Sequence, residues 1–164
     1  MKVKAVLITL ALCFAATAVV MAKPNPQMAM AKPNPHMGTW KLNEAKSKVA
    51  AGANKNHTVV YESAGDDTKV TVDGNDGDGN ATHNEWTGKF DGKCYAVTGS
   101  PSADERCYKV VNGHTMLLTE KKGGKANVTG RIVVSANGKM RTVTTSGTDA
   151  KGKRFRTVAV YDKQ

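Results

Sequence analysis

From Gly38 to the end of the chain, apolar and polar residues alternate in short runs, and turn-forming residues interrupt them at close intervals. The interruptions are Gly65-Asp66-Asp67, Asp73-Gly74 through Gly79-Asn80, Asp91-Gly92, Asn112-Gly113, Gly123-Gly124, Asn137-Gly138 and Lys151-Gly152. A period of two bounded by Gly, Asn and Asp marks strands, because alternate side chains of an extended chain face opposite sides. The pattern predicts strands near Gly38–Leu42, Thr58–Glu62, Lys69–Asp73, His83–Phe90, Tyr95–Thr98, Arg106–Val111, Thr115–Lys121, Lys125–Ser135, Lys139–Thr148 and Lys153–Tyr161. Asn112-Gly113 and Asn137-Gly138 sit between such runs, as tight hairpin turns do. Only Asn43–Ala51 has room for a helix, and a brief one. Strands in simple succession close naturally into a barrel, which removes exposed edges. The predicted fold class is therefore all-β, an antiparallel up-and-down β-barrel of about 8–10 strands, with a small sandwich as the alternative.

Ahead of Gly38 the pattern changes. Lys2 and Lys4 precede an almost unbroken apolar run, Ala5 to Val20, that ends in small residues. This is the form of a secretory signal peptide, and the run is short for a membrane span. Cleavage is expected after Ala22, with Ala29-Met30-Ala31 as a second A-x-A match. Cys13 follows the bulky Leu12 inside the run, which does not suit lipidation. The expected organisation is a signal peptide over 1–22, a linker over 23–37 and a barrel domain over 38–164. The destination is the periplasm or the medium, with no stable membrane insertion. The block MAKPNPxM occurs twice, at Met21–Met28 across the expected cut and at Met30–Met37 within the linker. Pro24, Pro26, Pro33 and Pro35 favour extended backbone and suit a spacer. Met28, Met30, His36 and Met37 are ligands of the kind copper(I) favours, so a metal clamp is the competing reading.

The formal net charge is +10, and loss of Lys2 and Lys4 with the leader leaves +8. Lys and Arg are scattered, with the densest cluster at Lys151, Lys153, Arg154 and Arg156. Scatter and export together exclude nucleic acid as the expected partner, and leave a basic outer surface. Cys94 and Cys107 remain after the leader, and an even pair in an oxidising compartment predicts a disulfide. A hairpin turn near Gly99-Ser100-Pro101-Ser102 sets them opposite each other, whereas a turn around Ser102–Asp104 misaligns them. The rival use is a four-ligand zinc set of His83, Cys94, Cys107 and His114, at spacings that match no compact knuckle.

GTWKLN, Gly38 to Asn43, resembles the G-x-W entry strand of the lipocalin and fatty-acid-binding-protein superfamily. VYDKQ, Val160 to Gln164, resembles the closing strand of the fatty-acid-binding proteins. The stretch from GTWKLNEAKSK to GTDAKGKRFRTVAVYDKQ is similar to small exported bacterial proteins described as lipocalin-like, over nearly all of Gly38–Gln164. The resemblance implies that Trp40 closes the barrel base beneath an arginine of the last strand, Arg154 or Arg156. Tyr161 matches the tyrosine of the fatty-acid carboxylate clamp, but Ala159 stands where that clamp has arginine, so its charged half is missing. Between the first two strands, Glu44 to Asn56 leave no room for a two-helix lid. Avidin-type barrels share G-T-W, but only Trp40 and Trp86 occur here, too few for a biotin pocket.

Strand phase supplies the candidate pocket. Phe155, Thr157, Ala159 and Tyr161 share one face of the last strand, and Asn84, Trp86, Gly88 and Phe90 share one face of an earlier strand. With these faces inward, Trp86, Phe90, Phe155 and Tyr161 are the expected ligand-binding residues for a small apolar molecule. A filled core with the same residues is the alternative, and would leave a surface interaction module. His83-Asn84-Glu85 lacks the partner motif of the zinc deaminases. Asp73–Asn80 lacks the glutamate of an EF-hand loop and reads as a polar hairpin. The expectation is a non-enzymatic protein without cofactor or metal, and the sequence sets no oligomeric state.

Overall fold

A computed structural model describes residues 34–149 and 152–164. The expected leader, its cleavage site, most of the repeat and Lys151 lie outside the described residues. Ten strands run in succession: β1 (Gly38–Leu42), β2 (Lys55–Ala64), β3 (Asp67–Asn75), β4 (Ala81–Gly88), β5 (Asp91–Thr98), β6 (Glu105–Asn112), β7 (Thr115–Lys122), β8 (Lys125–Val134), β9 (Met140–Thr148) and β10 (Arg154–Lys163). Each pairs antiparallel with its sequence neighbour, and β1 also pairs with β10, so the sheet closes. Closure replaces the sandwich alternative, because none of the ten described strands is left at an open sheet edge. The brief helix expected in 43–51 is a 3-10 turn, Glu44–Lys46, capped by the Asn43 side chain accepting from the Lys46 N–H.

Alternation holds on β4 and on most of β10, where Val160 of the outward phase is buried as well. On β10, Thr157, Ala159 and Tyr161 are buried while Arg154 and Arg156 are exposed. On β4, Asn84, Trp86 and Gly88 are buried while His83 and Thr87 are exposed. The β6–β7 turn falls one residue later than Asn112-Gly113: Asn112 ends β6, and its side-chain oxygen accepts the His114 N–H at 3.0 Å. Gly138 takes φ +70° in the β8–β9 turn, a conformation glycine adopts without steric penalty. The Cys94–Cys107 disulfide is present. The register pairs Cys94 with Cys107, Tyr95 with Arg106 and Ala96 with Glu105, which centres the hairpin on Ser100-Pro101. The zinc set loses both thiolates to this bond.

The barrel interior divides along its axis. One half is packed with rings. Trp86 stacks on Phe90 at 6.1 Å and meets the edge of Tyr108 at 4.9 Å, and Tyr95 and Tyr61 complete the cluster. Edge-to-face contacts of this kind add to the burial of apolar area. Around them Val70, Met116 and Ile132 are fully buried. At the same end lie the first residues of β1 and the last of β10. There Trp40 is inaccessible, and the Arg141 guanidinium lies 5.1 Å from its ring, 5.1 Å from Tyr61 and 4.7 Å from Tyr161. The cation over Trp40 is therefore Arg141 of β9, and not Arg154 or Arg156. Those two occupy the outward phase of β10, whereas Arg141 stands across from the inward Tyr161. The Lys163 ammonium also lies over Trp40, at 5.1 Å. Asn34–Met37 pack onto this end. The Trp40 indole N–H donates to the His36 carbonyl at 2.9 Å, and the His36 ring is buried.

Candidate functional site

The other half of the barrel is open. A cavity of about 540 Å³ runs inward from the loops after β1, β3, β5 and β9. Its walls are apolar at Leu118, Val128, Val143 and Phe155. Its rim is polar at Asn54, Asp76, Ser100, Ser102 and Lys122. Asp76 is held in place by its own loop. Its carboxylate accepts from the Asn80 side-chain amide, the Asn80 backbone N–H and the Asp78 backbone N–H, bonds that draw its pKa below the ordinary value in that order of strength. Those bonds use the carboxylate within a polar hairpin, as the sequence reading of Asp73–Asn80 expected.

A buried polar group lies at the floor. Arg106 is 4% exposed and lines the cavity together with Glu120 and Asn84. Its Nε and Nη2 donate to Glu120 Oε1 at 2.8 and 2.7 Å, and Nη2 also donates to Asn84 Oδ1 at 3.1 Å. The Trp86 indole N–H donates to the Arg106 carbonyl at 2.8 Å, which ties this floor to the ring cluster beneath it. Burial acts most strongly and disfavours the Arg106 charge, but the charge and hydrogen bond of Glu120, together with Tyr108 and Tyr61, hold the guanidinium above its ordinary pKa. A buried charge is tolerable only when paired in this way.

The four residues expected to bind ligand are split by the division of the interior. Phe155 lines the cavity. Trp86 and Phe90 belong to the ring cluster, and Tyr161 lies under Arg141 with its hydroxyl donating to the Asn56 carbonyl at 3.1 Å. Arg106, Glu120 and Asn127 were not singled out from the sequence. A signal for two of them existed. Arg106 shares its phase with Tyr108, and Glu120 with Met116 and Leu118, so each is a charge on an otherwise apolar inward face. Asn127 carried no such signal. The β7–β8 register shifts at Glu120/Lys121, leaving Asn127 outside the ladder, and this bulge brings it to the cavity.

Among the described residues no group of three or more His, Cys, Asp or Glu is placed to hold a metal ion. No helix among them is long and apolar enough to cross a membrane. No protein-family model matches the chain, and no curated protein matches it. One solved structure that matches is described as "Structure of EF1p2_mFAP2b bound to DFHBI". It shares 11% identity over 79% of this chain and 94% of its own, with a TM-score of 0.45. The likeness bears on neither ligand nor activity here.

Proposed function

We propose that this chain is an exported, non-enzymatic binding protein that holds a small, fairly apolar ligand in the open half of its barrel. The observation that carries this reading is the cavity of about 540 Å³ with apolar walls and a few convergent polar groups at its floor. The Cys94–Cys107 bond supports an oxidising destination. Trp40 beneath a buried arginine at the closed end supports kinship with lipocalin-like barrels, although the arginine is Arg141. Native mass spectrometry of the protein purified from its own envelope, run beside a denatured sample, tests the reading. A retained organic mass that disappears on denaturation, and is lost in a Val143→Phe variant that fills the cavity, is expected. A bare mass in both proteins refutes it, and moves the function to the exposed Lys153, Arg154 and Arg156 on the outer face.

A further inference from the structure

The large apolar side chains that stand exposed among the described residues all belong to four neighbouring strands. They are Val110 and Val111 of β6, Leu117 of β7, Val133 of β8 and Met140 of β9, 37–51% exposed. One such side chain alone is ordinary, but a contiguous run marks a surface that meets a partner. The register makes this run contiguous. Lys109 pairs with Leu117, and Val110 and Val111 follow Lys109 on β6. Leu117 pairs with Arg131 on β8, two residues before Val133. Val133 pairs with Thr142 on β9, two residues after Met140. Diagonal neighbours on paired strands lie about 7 Å apart, within reach of long side chains such as Leu117 and Met140. The alternate positions Met116, Leu118, Ile132, Val134 and Arg141 are buried, so Leu117, Val133 and Met140 face outward.

Charge on this face is one-sided. Lys109 and Arg131 flank Leu117 across the ladder, and Lys139 precedes Met140; all three are exposed. β6 to β9 hold two acidic residues, Glu120 turned inward to Arg106 and Glu105 at 3.8 Å from Lys121. Asp91 and Asp162 border the face, with Lys93 and Lys163 close after them in the chain.

We propose that this face rests on an anionic lipid bilayer surface, its aliphatic side chains at the acyl-chain boundary and Lys109, Arg131 and Lys139 on the headgroup phosphates. Lys and Arg stems cover apolar surface while their charged ends reach the phosphates. A second copy fits less well, because it would bring like charges together in a chain of net charge +10. A specific protein interface centres on aromatic anchors, and the one aromatic residue of β6 to β9, Tyr108, is buried. The attachment is peripheral and independent of what the cavity holds.

Cosedimentation tests this, using the protein purified from its own envelope and vesicles of equal parts phosphatidylglycerol and phosphatidylcholine. Binding should be at least about tenfold tighter than to pure phosphatidylcholine, since each basic side chain at an anionic surface contributes about fivefold. Leu117→Ser combined with Val133→Thr should weaken it about tenfold. Arg131→Gln should weaken it about fivefold. Arg154→Gln removes the same charge at the cavity end and should leave binding within about twofold, because salt screens distant charges. No binding to the anionic vesicles overturns the proposal, and so does equal binding to both vesicle types; neither comparison needs a variant to fold. Equal losses in Arg131→Gln and Arg154→Gln overturn it too, since they would reflect net charge alone. A dimer in solution that the Leu117→Ser, Val133→Thr variant turns into a monomer assigns the face to a second copy instead.

Discussion

His36 makes the barrel's closed end sensitive to acid. Its ring is 2% exposed, and neither nitrogen has a partner among the described residues. Burial, and then the positive or ionisable Arg141, His114 and Lys163 around it, push its pKa from 6.5 down to about 4. In the unfolded chain the ring takes a proton near 6.5, and in the folded chain only near 4. Between those values the unfolded state holds more protons, so stability rises with pH across the window and is lost as pH falls from 6.5 towards 4. A shift of this size corresponds to about 3 kcal/mol, which screening at the barrel end reduces to about 2. His36→Phe keeps a flat ring and has nothing to protonate. It should unfold in urea within about 1 kcal/mol of wild type at neutral pH, because the unpartnered nitrogens lose no bond. On acidification to about pH 4.5 the wild type should lose roughly 1–2 kcal/mol more than the variant. Exposed groups, among them His83 with its pKa raised mainly by its bond to Asp73, titrate in both proteins and drop out of the difference. Equal acid losses in the two proteins would refute the assignment to His36.

Four further outcomes follow from the packing and the disulfide. A Cβ at Gly88 would sit 2.5 Å from the Tyr95 ring and 2.9 Å from Trp86, so Gly88→Ala should lower stability by about 1–3 kcal/mol in urea unfolding. Gly113→Ala, where nothing lies within 4 Å, should be close to neutral in the same assay. Replacing Cys94 and Cys107 together by Ser opens a loop with a sequence separation of 13 and should cost about 3 kcal/mol, read as a lower melting temperature than the oxidised parent; no change would mean the bond constrains little. Phe155→Ala should weaken ligand retention with a loss of stability of about 1 kcal/mol or less, whereas Trp86→Ala should lower stability by about 3–5 kcal/mol; the reverse pattern in paired mass-spectrometric and melting measurements would exchange their roles.

Strand identity, strand order and the inward phase of β4 and β10 were legible in the sequence. They depend on alternation and on turn residues, both of which act within a few neighbours along the chain. The disulfide was legible for the same reason, since one hairpin brings Cys94 to Cys107. What faces what across several strands was not. Arg141 reaches Trp40 because Tyr161 pairs with Leu42 on one side and with Arg141 on the other, and Trp40 lies close by on β1. No local pattern distinguishes Arg141 from Arg154 or Arg156 before that register is known. The same holds for Arg106, Glu120 and Asn127. Their types are written in three separate strands; the β6–β7 register pairs Arg106 with Glu120, and the shift in the β7–β8 register leaves Asn127 as a bulge beside them. Whether the barrel is hollow or filled was likewise undecidable from composition, since the answer is both. Large rings gather in one half because β4, β6 and the β4–β5 turn bring Trp86, Tyr108 and Phe90 to the same level. The small and polar inward residues of the other half leave a cavity there, and that division arises only when the sheet closes.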